Sequence, residues 1–324
     1  MPGAHLTTKV NVKIIIEGQE EIGSPHMAEC IKTHKELLSC DCILNTDTSQ
    51  YSEDIPALMS GLRGICALQI DVRGGNSDLH SGVHGGTAPN PIDFLCKLMS
   101  GMKTPEGKVL VDGFYDDVAP ISALRHKQIE AIPFNDDEYR AQYGLKALIG
   151  EEGYLARERN WNRPTLEFNG IWGGFQGEGV KTVLPALAHA KLTCRLVPNQ
   201  TPEKILGLLK THIAKYAPHQ VEVTATVIGG TGNPYALPDN HKENLLLAKI
   251  LKEVYGREPV FMGTGGSIPI VGMFYDIMGV HSIGMGFGLD DENLHAPNEF
   301  FRLSSFRKGM QVYCGFLIAL GQQS

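Results

Sequence analysis

Apolar and polar positions alternate with a period of two in three places along the chain. Cys66, Leu68, Ile70 and Val72 alternate with Ala67, Gln69, Asp71 and Arg73. Ala190, Leu192, Cys194 and Leu196 stand against Lys191, Thr193 and Arg195, and Val221, Val223, Ala225 and Val227 repeat the pattern. This period predicts strands with one buried and one wet face. Helix-like stretches lie between them, the clearest opening at Thr201-Pro202-Glu203 and carrying Ile205, Leu208, Leu209 and Ile213. Strands with one open face and helices on the other predict an α+β unit over residues 63–230.

On either side the pattern changes to short continuous apolar runs. Val12–Ile16 is β-branched and predicts a buried strand. Ser24 and Pro25 then read as an N-cap and first-turn pair, opening a helix through Met27, Cys30, Ile31, His34 and Leu38. Cys42-Ile43-Leu44 is a second short strand ending at Asn45-Thr46-Asp47. After Gly229-Gly230 the buried pattern returns. Asn240 is expected to cap a helix with Leu245, Leu246, Ile250, Leu251 and Val254 inside, stopped by Gly256. Pro259–Met262 predicts a strand running into Gly263-Thr264-Gly265-Gly266-Ser267, followed by a helix. Val280–Met285 predicts a last strand, then a loop to Pro297 and a final helix with Phe306, Met310, Val312 and Leu317. The expected organisation is one α/β domain in two segments, 1–62 and 231–324, split by the insert 63–230.

Composition narrows the function. A chain of 324 residues with 42% hydrophobic content can build real cores. Its net charge of −7 offers no basic field, so nucleic acid is not expected as a partner. No run reaches the ~18 apolar residues of a membrane span, and Met1–Lys9 has no apolar leader core, so no membrane is expected and the cytoplasm is the expected location. The seven cysteines are odd in number and mostly sit in apolar patterns, which suits reduced core thiols better than a disulfide framework.

Candidate chemistry gathers at predicted strand ends. Glu20 and Glu21 follow the first, Asp47 the second, the glycine-rich loop the third, and Asp290-Asp291-Glu292-Asn293-Leu294-His295 the last. In open α/β sheets ligands bind outside the carboxyl ends of strands. Two adjacent carboxylates facing different ways can divide labour, one gripping a metal and one moving a proton. Carboxylate and imidazole without thiolate suit a hydrolytic zinc, cobalt or manganese site. The glycine-rich loop lacks the lysine of a P-loop and reads better as a turn bringing backbone N–H groups to a substrate carboxylate. Taken singly, each has a plainer reading as a solvated acidic turn, a helix cap or a turn histidine.

Five segments together carry a resemblance. They are Glu17-Gly18-Gln19-Glu20-Glu21-Ile22-Gly23-Ser24, Leu79-His80-Ser81-Gly82-Val83-His84-Gly85-Gly86, Lys181-Thr182-Val183-Leu184-Pro185, Arg195-Leu196-Val197-Pro198 and Asn293-Leu294-His295-Ala296-Pro297. In this order the chain resembles the two-metal peptidases of the carnosinase, cytosolic dipeptidase, aminoacylase and desuccinylase family, most of all the dipeptidase branch. The resemblance implies a zinc-exopeptidase-like catalytic domain, a mostly parallel sheet flanked by helices, with an inserted α+β lid and dimerisation domain. It implies metal-dependent hydrolysis of a peptide bond in dipeptides or similar small substrates. It makes Glu20 the general base, Glu21 and His295 ligands of one divalent ion and Asp47 a ligand of the other. The two ions are expected to be zinc, with manganese or cobalt as alternatives. His80 is expected to reach the neighbouring subunit's active site in a homodimer and stabilise the oxyanion, Arg195 to clamp the substrate's terminal carboxylate, and Thr182 and Ser267 to make lesser substrate contacts.

The family also carries a preceding segment with a His-x-Asp metal motif, and no histidine of this chain is followed two residues later by Asp. The expectation is an incomplete copy with impaired metal binding. An N-acyl amino acid deacylase or desuccinylase of the same fold and a non-catalytic dimerisation module are the alternatives.

Overall fold

The structure, a computed structural model, describes residues 9–266 and 268–322. Its strands are β1 (Ile43–Asn45), β2 (Ala57–Leu62), β3 (Gly64–Arg73), β4 (Leu79–His80), β5 (Thr165–Gly173), β6 (Val183–Leu184), β7 (Leu187–Leu196), β8 (Glu222–Val227), β9 (Tyr235–Ala236), β10 (Val260–Thr264) and β11 (Ser282–Gly284).

β3, β7 and β8 are the three period-two segments, and with β5 they make an antiparallel sheet in the order β5-β7-β3-β8. The expected faces are present: Cys66, Leu68, Ile70 and Val72 pack with Ala190, Leu192, Cys194 and Leu196 under helices Pro91–Gly101 and Pro202–Tyr216. Thr201 caps the second of these by accepting from the Lys204 N–H at 3.3 Å. β5 escapes the sequence pattern because it carries Gly170 at an irregularity between Phe168 and Gly170.

The first and last parts of the chain build the other sheet, in the order β1-β11-β2-β10 with β9 beside β2. β1 runs parallel to β11 and β10 parallel to β2, as the α/β reading expects. β11 meets β2 antiparallel through the single pair Gly284 and Met59. Glycine is required there, since a Cβ at Gly284 would lie 2.6 Å from the Met59 Cβ. Helices Lys242–Tyr255 and Leu303–Leu320 cover one face through Leu247, Ile250, Leu251, Val312 and Phe316. Met27, Ile31 and Phe274 form a smaller core with the partly buried Ile43.

Several expected elements differ. Val12–Ile16 is not a strand: residues 11–17 have no regular structure, and Val12, Ile14 and Ile16 are 55%, 79% and 89% exposed. A β-branched run becomes a strand only when a neighbour takes its backbone N–H and C=O groups, and no described strand pairs with it. Ser24 is not an N-cap; its backbone is left-handed (φ 49°) and its hydroxyl donates to Glu17 Oε1 at 2.5 Å. The helix begins at Met27 and breaks at His34 into Met27–Thr33 and Lys35–Leu38. Asn240 gives way to His241 as the residue before helix Lys242–Tyr255. β2 was hidden by Ser60 and Gly61, which interrupt its apolar run. All seven cysteines are free, as expected, but only Cys66 and Cys194 are buried; Cys30, Cys96 and Cys314 are exposed.

Candidate active site

The loops after β1 and β11 leave the same edge of the sheet because those two strands are parallel, and the end of β10, at Gly263 and Thr264, lines the same cleft as Asp47 and His295. β1 ends at Asn45, whose Oδ1 accepts from the Asp47 N–H at 3.1 Å. That Asx turn fixes the backbone from which the Asp47 carboxylate projects. Glu20 and Glu21 open a single 3-10 turn, Glu20–Ile22, closed by left-handed Gly23 (φ 84°), whose N–H donates to the Glu20 carbonyl at 2.7 Å.

The Glu21 carboxylate meets His295: Nε2 lies 3.5 Å from Oε1, with both side chains largely exposed. Glu20 is a neighbour of the same group. Its carboxyl is held above the usual carboxylate range first by burial, then by the negative charges of Asp47, Glu21 and Glu17, and His295 pulls the other way. The structure therefore brings together Glu20, Glu21, Asp47 and His295, although the first pair does not follow a strand.

Asp47 and His295 also line a cleft of about 1310 Å³. Its wall includes Arg157, whose guanidinium lies over the rings of Phe134, Trp161 and Tyr51 at 4.6, 5.0 and 5.3 Å. Burial lowers the Arg157 pKa. Glu20 and Glu21 are outside that lining and join the group only through His295 and Asp47. At β10, Gly263 lets the strand pass Trp161; a Cβ there would lie 2.6 Å from the Trp161 Cβ. Ser267 of the same loop lies outside the described residues.

The remaining candidates belong to the insert. His80 is on the two-stranded β4–β6 ladder and Thr182 immediately precedes β6, with Thr182 Oγ1 3.5 Å from His80 Nε2. No hydrogen bond or ion pair among the described residues joins them to Glu20, Glu21, Asp47 or His295. Arg195 is on β7, opposite Ile65 and Thr165. Its positive charge and, to a larger degree, burial push Arg63 down to about 10. Arg63 in turn donates from Nε to the Gly265 carbonyl at 3.3 Å, tying this arginine pair to the glycine-rich loop.

The donor chemistry at Glu21, His295 and Asp47 suits a divalent ion, being carboxylate oxygen and imidazole nitrogen. Glu21 and His295 supply two neighbouring donors. Among the described residues no group of three or more His, Cys, Asp or Glu comes together to hold an ion, against the three protein ligands usual for catalytic zinc. Sequence reasoning missed Arg63, Arg157 and Trp161, because each acquires its place from segments distant in the chain and none sits in a pattern that announces it.

Comparison with known proteins identifies the family. The profile of the peptidase dimerisation domain of the M20 peptidases matches residues 60–221. A Cys-Gly metallodipeptidase of Schizosaccharomyces pombe is 31% identical over 97% of this chain and 67% of its own. A rat Beta-Ala-His dipeptidase is 29% identical over 97% of this chain and 64% of its own. An M20 family metallo-carboxypeptidase from Sulfolobus solfataricus superposes with a TM-score of 0.81 at 29% identity, covering 94% of this chain and 69% of that one. The dipeptidase Dug1p of Saccharomyces cerevisiae gives a TM-score of 0.77 at 29% identity, with 94% and 65% covered. The chain thus spans about two thirds of the length of the curated relatives it matches.

Proposed function

We propose a hydrolytic function from one premise: this chain belongs to the M20 metallopeptidase family, in its dipeptidase branch. The reaction is cleavage of the peptide bond of a dipeptide or similar small substrate by water. The observation that carries it is the convergence of Glu20, Glu21, Asp47 and His295 at one place.

Glu20 is the general base. It takes a proton from the attacking water and delivers it to the leaving amine nitrogen, so that one water is consumed and a carboxylic acid and an amine are released. Its raised pKa makes the Glu20 carboxylate a stronger base toward the attacking water than an ordinary carboxylate. Glu21 and His295 would hold one divalent ion and Asp47 a second, zinc being the metal proposed. When bound, such ions lower the pKa of water and polarise the scissile carbonyl.

Residues 63–230 serve as the lid and dimerisation domain, between catalytic segments 1–62 and 231–324, and a homodimer is the assembly proposed. In it His80 supplies a donor to the oxyanion in the neighbouring subunit, and Thr182 is held beside it. Arg195, beside Arg63, takes the substrate carboxylate as a guanidinium does best, bidentately, and Ser267 adds a contact. Among the described residues no helix is long and apolar enough to cross a membrane, and the cytoplasm is the proposed location.

A second reading, a non-catalytic dimerisation module, is favoured by the lack of a third metal donor among the described residues. Turnover separates the two. In keeping with its sparse set of metal donors, the chain with excess Zn²⁺ or Mn²⁺ is expected to cleave dipeptides only weakly, though in preference to N-acyl amino acids, and Glu20→Gln is expected to abolish that cleavage. Activity undiminished in Glu20→Gln would remove the general-base assignment.

A further inference from the structure

The loop that carries His295 is an unusual piece of backbone. Asn293, His295 and Asn298 all occupy the left-handed region, with φ of 56°, 60° and 63°. None is glycine, and such residues persist only where the surroundings over-determine them. The surroundings here converge on Glu292. It is buried to 1% exposure while its loop neighbours from Asn293 to Phe300 are exposed.

Each Glu292 carboxylate oxygen holds one end of the loop. Oε2 accepts from the Leu289 N–H at 2.9 Å. Oε1 accepts from both the Arg302 N–H and Arg302 Nη1, each at 3.0 Å. The backbone of the same residue repeats the arrangement: its N–H donates to the Leu289 carbonyl at 3.1 Å, and its carbonyl accepts from the Phe300 N–H at 3.1 Å. Arg302 is fixed by a further bond from Nη2 to Asp291 Oδ2 at 2.7 Å and by stacking over Phe300 at 5.0 Å. Every partner of the carboxylate is thus at a root of the loop, and the loop's free span contains His295.

We infer that Glu292, locked by Arg302, is a positioning residue that sets the orientation of His295 toward Glu21. The inference rests on the reading of His295 as a metal-contacting residue. Glu292 touches neither substrate nor the His295 ring in this scheme; it acts through the loop backbone that carries the imidazole, by holding both roots of that loop.

The test uses the full chain, labelled at histidine with ¹⁵N, with Zn²⁺ as the probe. In Glu292→Gln the amide cannot accept at both ends of the loop. The expected result is a displaced or broadened His295 ring resonance and Zn²⁺ binding weakened on the order of 10- to 100-fold, with the ring resonances of His189 and His212 in the insert unchanged. Arg302→Lys retains the charge and the backbone donor, and is expected to lose less; it also serves if Glu292→Gln does not fold. His295→Ala separates the two layers of the argument. If His295→Ala weakens Zn²⁺ binding but Glu292→Gln and Arg302→Lys leave the His295 resonance and the zinc titration as in the parent, the positioning role is overturned. If His295→Ala itself leaves the titration unchanged, the reading of His295 fails first.

Discussion

His295 Nε2 and Glu21 Oε1 stand 3.5 Å apart across two loops from opposite ends of the chain. Both side chains are more than two thirds exposed, at 72% and 74%. An ion pair so open to water contributes about 0–1 kcal/mol. Glu21→Gln and His295→Ala are therefore expected to change urea unfolding of the metal-free chain by less than about 1 kcal/mol. A loss of several kcal/mol would make the pair a structural one.

The charge of Asp47 is the second cause, after burial, of the raised Glu20 pKa. Removing that negative neighbour makes the Glu20 carboxylate easier to form. Asp47→Asn is expected to move the Glu20 titration to lower pH in the metal-free chain, followed by ¹³C resonances of the side-chain carboxyl. An unmoved titration would separate Asp47 from Glu20.

Glu158, buried at 1% exposure, sits 2.6 Å from His126 Nδ1, and its other oxygen accepts from the Leu155 N–H at 2.9 Å. The hydrogen bond to Glu158, then its charge, raises the His126 pKa above its ordinary value of about 6.5. A raised folded-state pKa stabilises the fold fully below that ordinary value, and the contribution fades as pH rises through the raised one. The thermal midpoint of His126→Gln should lie further below the parent at pH 5.5 than at pH 8.5. An equal gap at both would leave the pair without linkage.

Gly263 passes Trp161 with room for a hydrogen only, since a Cβ would lie 2.6 Å from the Trp161 Cβ and 2.9 Å from its Cγ. Gly263→Ala should cost about 1–3 kcal/mol through overpacking. The chain has two tryptophans, so in a Trp172→Phe background the emission of Trp161 reports the cleft wall directly. An unshifted emission with unchanged stability would contradict the packing described.

Much of this was legible from the amino-acid pattern. The period-two runs at Cys66–Val72 and Ala190–Leu196 gave the insert's sheet because each strand has one dry face, and side-chain alternation is a local property. Asp47 and the loop after β11 were foreseen for a similar reason, as polar residues following short apolar runs. What escaped was non-local. Val12–Ile16 has strand composition but no described strand to pair with, and the aromatic cage of Arg157 draws on Tyr51, Phe134 and Trp161. Glu292 looked like one acid among three; only the fold shows it buried between the two roots of its loop.

The central claim is that Glu21, Asp47 and His295 serve a divalent ion beside Glu20. Zinc titration calorimetry on the full chain and on the combined variant Glu21→Gln, Asp47→Asn, His295→Ala tests it most directly. The account predicts a binding phase in the parent that the variant loses, with both proteins equally folded by circular dichroism. Superimposable isotherms, or a parent that takes up no zinc at all, would contradict it.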